Sequence, residues 1–290
     1  MITILVIGIA VGCVFSLIAV GFSIEYRTIG VVNFAQGSYV VFGALCCWWL
    51  LEKAGLPYPL AIAGSALITA GIGFLLWNVV VLPLWRRKCP PYVVLLCSIV
   101  FSGIMGDISL FLFGSSPETV PSWVPGLTLH IAGSDIDGQY AVVIVGTLIL
   151  IAAFGSMLRF TTFGRSMRAV AASRETSELL GISAERIGAI AMTITAFIGG
   201  LGGTMIAPAQ YASVDQGLTF GVFGIIAAVM GGFGSLNGAL LGGLVIGVTQ
   251  ALVGRYVAAN LVTVFAFGML LVLLTFRPYG LLSFKWEEGE

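Results

Sequence analysis

Apolar runs of membrane length, separated by short polar interruptions, set the rhythm of the chain. They occupy 2–24, 31–51, 56–82, 92–113, 140–158, 187–207 and 260–276. About 20 apolar helical residues cross a hydrocarbon core, so each run is predicted as a membrane-spanning helix. A further apolar segment, 218–253, is interrupted at 231–239 by GGFGSLNGA. It is long for one crossing and short for two, which predicts two short helices or half-helices. The expected fold is all-α: one polytopic helical bundle over 1–290, with eight or nine passages, two of them broken or re-entrant.

The basic residues orient this bundle, because cytoplasmic loops collect lysine and arginine. With the N-terminus outside and 218–253 crossing twice, one side receives Arg27, the RRK of 86–88, the five arginines of 159–186, Arg277 and Lys285. Only Lys53 and Arg255 then remain on the other side. A single crossing of 218–253 would put the basic tail on the wrong side. The reading is N-out and C-in, with 159–186 cytoplasmic and 114–139, which has no lysine or arginine, outside. The opening MITILVIGIAVGC has neither a basic start nor a small-residue cleavage site, so a cleaved leader is not expected.

Composition agrees and narrows the function. The chain of 290 residues is 59% hydrophobic and 9% charged, against about 25% charged in soluble domains, which makes it an integral membrane protein. Its formal net charge of zero argues against nucleic acid as a partner. Cys13, Cys46, Cys47, Cys89 and Cys97 show no CxxC spacing and read as packing residues. One histidine, His130, cannot build a metal cluster. GGLGGT at 199–204 lacks the lysine of a phosphate-binding loop, so no nucleotide site is expected on this chain.

Polar residues inside apolar runs are therefore the candidates. The second run opens on NFAQG, residues 33–37. Asn33 and Gln36 share one face if the segment is helical, and Gly37 interrupts the apolar pattern. Broken backbone at membrane depth is tolerated where protein buries it or a watery cavity meets it, and interrupted spans point to a substrate route. The candidate pathway set is Asn33, Phe34, Gln36 and Gly37 in the first break with Ser235 and Asn237 in the second. Ordinary turns at the inner interface are the competing reading of both. Asp107 is the one acid well inside a predicted span, and an intramembrane acid is a functional suspect. It lies about 9 Å of helix before Phe113, at the usual rise, nearer the outer interface than the midplane. A structural role competes with the pathway there.

The segment 159–186 reads as more than a linker. Met167, Val170 and Ala171 share a helical face. Ser173 can cap a second short helix, with Glu175 in its first turn and Gly181 as its stop. Docking onto a soluble partner through Leu179 and Leu180, flanked by Arg165, Arg168, Glu175 and Glu178, explains this pattern better than a membrane-surface helix does.

Four motifs carry a resemblance: NFAQG at 33–37, TTFGRSMRAVAASRETSELLGI at 161–182, GGFGSLNGALLGG at 231–243 and FRPYGLL at 276–282. In this order and over essentially the whole chain they resemble the permease subunits of bacterial branched-chain amino-acid ABC importers. Gln36 stands where histidine is frequent in that family, and Asn237 where proline is. The resemblance implies a multi-pass protein of the bacterial inner membrane, not itself an enzyme and without a cofactor of its own. It implies a second related permease, two ATP-binding subunits that hold ATP and magnesium, and an extracytoplasmic substrate-binding protein, besides the surrounding lipid. The 159–186 segment becomes the coupling loop. Branched-chain or other amino acids lead as cargo, with urea, amides and organic acids as alternatives. An ion-coupled secondary transporter with Asp107 as relay competes, and so does a channel, although the spans carry little charge and no filter pattern.

Overall fold

The computed structural model describes residues 1–124, 126–131 and 134–282; Lys285 and the rest of the expected basic tail lie outside them. Helix α1 spans Ile2–Ile29, and every residue from Ala10 to Glu25 is buried, so it is the axis of the bundle. Around it lie α2 (Gln36–Glu52), α3 (Tyr58–Leu76), α4 (Leu82–Arg86) and α5 (Pro91–Phe113). A single π-helical turn, Trp77–Val81, joins α3 to α4. After a two-stranded ribbon, β1 (Thr128–Ile131) and β2 (Ser134–Asp137), come α6 (Gly138–Phe160), α7 (Thr162–Ala172) and α8 (Arg174–Leu179). The chain continues through α9 (Ala184–Ile206), α10 (Gln216–Gly231), α11 (Leu236–Tyr256) and α12 (Val262–Phe276).

Small residues let these helices approach and reveal their directions. Gly8 faces Gly247 and Gly12 faces Gly243, so α11 runs antiparallel to α1. A Cβ on Gly247 would sit 2.2 Å from Gly12 Cα, and Ser16 Oγ donates to Leu240 O at 2.9 Å. Gly231 against Gly238 and Ala227 against Gly242 fold α10 and α11 into a hairpin. α9 is antiparallel to α1, through Leu17–Gly202 and Glu25–Thr195, and to α3, through Thr69–Gly200 and Gly73–Met192. Phe34–Ser98 and Ser38–Ser102 set α5 parallel to α2. Followed in chain order, α1, α2, the α3–α4 rod, α5, α6, α9, α10, α11 and α12 alternate in direction.

Seven helices among the described residues are long and apolar enough to cross a membrane. α2, with 17 residues, and α10, with 16, are shorter. Burial sorts the layers: 67% of the most apolar window of α9 is buried against 6% of the last apolar segment, Ala259–Phe276. α12 therefore lies at the periphery and α9 at the core.

Three expectations change. The first run does not stop at residue 24; α1 continues to Ile29, where Gly30 (φ +70°) closes it by donating its N–H to Tyr26 O. Its neighbour does not begin as a helix at 31, because residues 31–35 are non-helical and α2 starts at Gln36. The all-α expectation holds for the bundle, but part of 114–139 forms the antiparallel ribbon, paired from Thr128–Asp137 to Ile131–Ser134. Asp137 then caps α6, its side chain accepting from Gln139 N at 2.9 Å.

Candidate functional site

The first break is built around an acid that the apolar pattern did not single out. Glu25 lies four residues from the end of α1 and is fully buried. Its Oε1 accepts from Gln36 Nε2 at 2.8 Å, Asn33 Nδ2 at 3.3 Å and Thr195 Oγ1 at 2.5 Å. Ala35 N donates to Asn33 Oδ1 at 3.0 Å, which shapes the turn into α2. A buried acid is costly unless it is hydrogen-bonded; here the break, the first residue of α2 and α9 each donate to Oε1, while Oε2 has no partner among the described residues. Asn33 and Gln36, 2% and 0% exposed, are thus turned into the protein. The apolar runs single out Asp107 as the one acid well inside a span; Glu25 is a second, since the predicted run ends one residue short of it and α1 continues to Ile29. The signal was there: EYRTI continues the helix and Gly30 supplies its stop.

Phe34 and Ser38 face the opposite way. Phe34 N donates to Ser98 Oγ at 3.0 Å, and Ser38 Oγ lies 2.6 Å from Ser102 Oγ. With Gly103 and Gly106 of α5 and Asp215 and Gly217 at the head of α10, they line a cleft of about 420 Å³. Gly37 lets α2 lie directly on α10: a Cβ there would fall 2.2 Å from Gly217 O. Asp107 does not line this cleft; it is exposed, as are Ile104, Ile108 and Phe111, the last 88% exposed.

The second break meets a different face of α1. Gly232 and Gly234 take φ of +97° and +84°, Phe233 packs on Tyr26 with ring centroids 5.1 Å apart, and Gly234 lies against Arg27. Ser235 caps α11, accepting from Gly238 N at 3.0 Å. Ser235 and Asn237 line a separate cavity with Arg27, Arg159 and Arg168. Among the described residues the two breaks therefore share α1 but line different cavities.

The segment 159–186 forms two capped helices. Thr161 Oγ1 accepts from Gly164 N to start α7, whose Met167 and Val170 are buried. Ser173 Oγ accepts from Thr176 N to start α8. At its end Gly181 (φ +81°) donates to Glu178 O, and Ile182 N to Ser177 O, the paired bonds of a left-handed helix stop. Leu179 and Leu180 just before it are 88% and 74% exposed. Arg165 and Glu175 are exposed as well, Arg168 donates to Leu158 O at 2.7 Å, and Glu178 pairs with Arg174 at 3.0 Å. A stack that sequence reasoning missed ties α8 to the bundle. The Arg174 guanidinium lies 3.9 Å over the Trp85 ring, Trp85 packs edge-on to Trp77 at 5.6 Å, and Trp77 fills the space left by Gly188 of α9. Arg86 adds a bidentate pair with Glu185 at 2.8 and 2.7 Å. Trp77 is the first residue of the π turn, a deformation frequent at functional positions.

Comparison with known proteins places this architecture. Residues 4–274 match the family described as branched-chain amino acid transport system, permease component. The permease protein BraD of the high-affinity branched-chain amino acid transport system of Pseudomonas aeruginosa is 30% identical, covering 96% of this chain and 94% of its own length. The corresponding permease protein LivH of Escherichia coli K12 is 28% identical over 95% and 93%. The probable branched-chain amino acid transport permease protein LivH of Methanocaldococcus jannaschii is 24% identical over 94% and 89%. No solved structure matches. With its membrane-length helices, the chain is a multi-pass inner-membrane protein, and it belongs to the branched-chain amino acid transport system permease component family.

Proposed function

We propose that this chain is the permease subunit of an ATP-driven importer of small polar solutes, branched-chain or other amino acids foremost, and that ATP and magnesium are bound by partner subunits. The observation that carries the reading is the Leu179–Leu180 knuckle. A soluble surface has little use for two adjacent leucines this exposed on a helix capped at both ends and stacked onto the bundle. A groove on an ATP-binding subunit that receives such a helix accounts for them. The 159–186 segment is then the coupling loop.

The same reading organises the membrane part. The alternating helix directions support nine passages with the N-terminus outside, since Arg27, Arg86, Arg159 and Arg168 all gather at the Ile29 end of α1. Asp107 supports a second permease against α5, because an ionisable side chain at membrane depth faces protein or water rather than lipid. The cargo's route runs along the cleft beside the first break, with Phe34 in its wall. Asn33, Gln36 and Gly37 hold that wall in place, and an extracytoplasmic binding protein loads the route from the side of the ribbon.

The test is transport by the complex in proteoliposomes. Uptake of leucine, isoleucine or valine should require ATP and the cognate binding protein. A Leu179→Asp, Leu180→Asp variant should insert normally yet lose its ATP-binding partners on purification. Uptake driven by an ion gradient without ATP would replace this reading with a secondary transporter.

A further inference from the structure

We propose that the cavity between α6, α7 and the start of α11 binds the headgroup of an anionic membrane phospholipid. This cavity, of about 670 Å³, lies apart from the cleft beside Phe34, and neither the coupling loop's exposed leucines nor the first break reaches it. Three helices bring a guanidinium each: Arg27 from α1, Arg159 from α6 and Arg168 from α7. No carboxylate is among the described residues that line it. Arg168 is held at the rim by its bond to Leu158 O. Ser235 and Asn237 add polar groups at the N-terminal end of α11, where the helix dipole favours negative charge. Guanidinium groups fit phosphate oxygens by paired N–H donors.

The remaining walls say what the phosphate is attached to. Leu148, Ile151, Ala152 and Gly155 continue the cavity along one side of α6, and Leu236 and Leu240 along α11. From Arg159 back to Leu148 is about 16 Å of helix, at the usual rise. Leu148 and Ile149 on this stretch, and Val145 a turn before it, are 47%, 62% and 54% exposed, as a lipid-facing helix would be. A basic pocket that opens into an apolar groove along the membrane normal has the shape of a phospholipid, with the phosphate on the arginines and an acyl chain between α6 and α11. Basic pockets between membrane helices bind anionic headgroups in this way. A free anion would use the arginines but leave the groove unexplained.

The test uses the full-length chain purified with its partner subunits, delipidated, and examined by native mass spectrometry. It is offered phosphatidylglycerol or phosphatidylcholine of matched acyl chains, with or without millimolar inorganic phosphate. The wild type should retain phosphatidylglycerol several-fold better than phosphatidylcholine, and phosphate should not displace it. Arg159→Gln, on the exposed end of α6, should lose that retention several-fold. Ala152→Phe, which fills the groove without altering charge, should weaken it as well, and Arg87→Gln, exposed and outside the cavity, should not. Equal retention of the two lipids, full retention by Arg159→Gln, or displacement by inorganic phosphate with Ala152→Phe silent would each overturn the proposal, the last in favour of a free-anion site.

Discussion

Gln36 donates its side-chain amide to Glu25 at 2.8 Å across the break that separates the first two helices. The two residues are eleven apart, both fully buried, and between them the chain leaves α1, turns and starts α2. Replacing Glu25 by leucine should strand the Gln36 amide, at roughly 1–3 kcal/mol, and leave Asn33 Nδ2 with only a long 3.5 Å contact to Tyr39 Oη; Thr195 retains Met192 O as an acceptor. Glu25→Gln keeps an acceptor in place. The unfolding midpoint of the purified complex should therefore fall clearly for Glu25→Leu and much less for Glu25→Gln. Adding Asn33→Leu and Gln36→Leu to Glu25→Leu should recover part of the loss, since removing both sides of a buried polar pair can be nearly neutral. No recovery would mean that the cluster does not act as a unit.

The break also separates holding from lining. Asn33 and Gln36 face Glu25, whereas Phe34 and Ser38 face the cleft. Phe34→Ala and Ser102→Ala should leave the unfolding midpoint close to wild type and lower uptake. Asn33→Leu alone should lower the midpoint and uptake together. Normal uptake by Phe34→Ala at normal expression would remove the cleft from the route.

Close helix contact gives a sharper contrast. A Cβ at Gly37 would meet Gly217 O at 2.2 Å and Gly221 N at 2.3 Å, backbone atoms that cannot step aside, while one at Gly71 would meet nothing within 4 Å. Gly37→Ala should destabilise by about 1–3 kcal/mol, the range of overpacking. Gly71→Ala should be neutral or stabilising by up to about 1 kcal/mol, because glycine is a poor helix residue. Thermal unfolding of the two variants, measured side by side, decides the matter.

What could be read from the sequence follows from the range of the forces involved. The helices were legible because lipid demands long apolar runs, and the ends of α8 were legible because Ser173 and Gly181 act on backbone within a few residues of themselves. Glu25 escapes the pattern because an apolar run is cut at its first ionisable residue, while one of the three donors that hold its carboxyl group, Thr195, lies 170 residues away. The two breaks looked like halves of one route, yet they abut different faces of α1, and no one-dimensional pattern records which face a residue takes. The arginine cavity was equally hidden, since Arg27, Arg159 and Arg168 come from three helices.

Orientation can be read by labelling. In a background lacking the five cysteines, all free in the structure, His130→Cys and Glu175→Cys place single thiols on exposed positions of β1 and α8. An impermeant reagent applied to intact cells should label position 130 and spare 175. Labelling of 175 alone would invert the bundle, and labelling of both would break the N-out, C-in arrangement.

The stack from α8 to α9 leads to the last prediction. Arg174 lies over Trp85, Trp85 against Trp77, and Trp77 against Gly188, so movement of the exposed leucines reaches two long helices through rings rather than through a flexible loop. Trp85 is not part of the leucine knuckle, and removing its ring should leave ATPase docking intact. A cation over an indole is worth about 0.5–2 kcal/mol, enough to loosen the stack without unfolding the bundle. Trp85→Leu should copurify with its ATP-binding partners in normal ratio and hydrolyse ATP at the basal rate, while losing most of the stimulation by loaded binding protein. Trp85→Phe, which keeps a ring beneath Arg174, should retain more of it. If Trp85→Leu is stimulated like the wild type, the stack is packing alone and the signal takes another path.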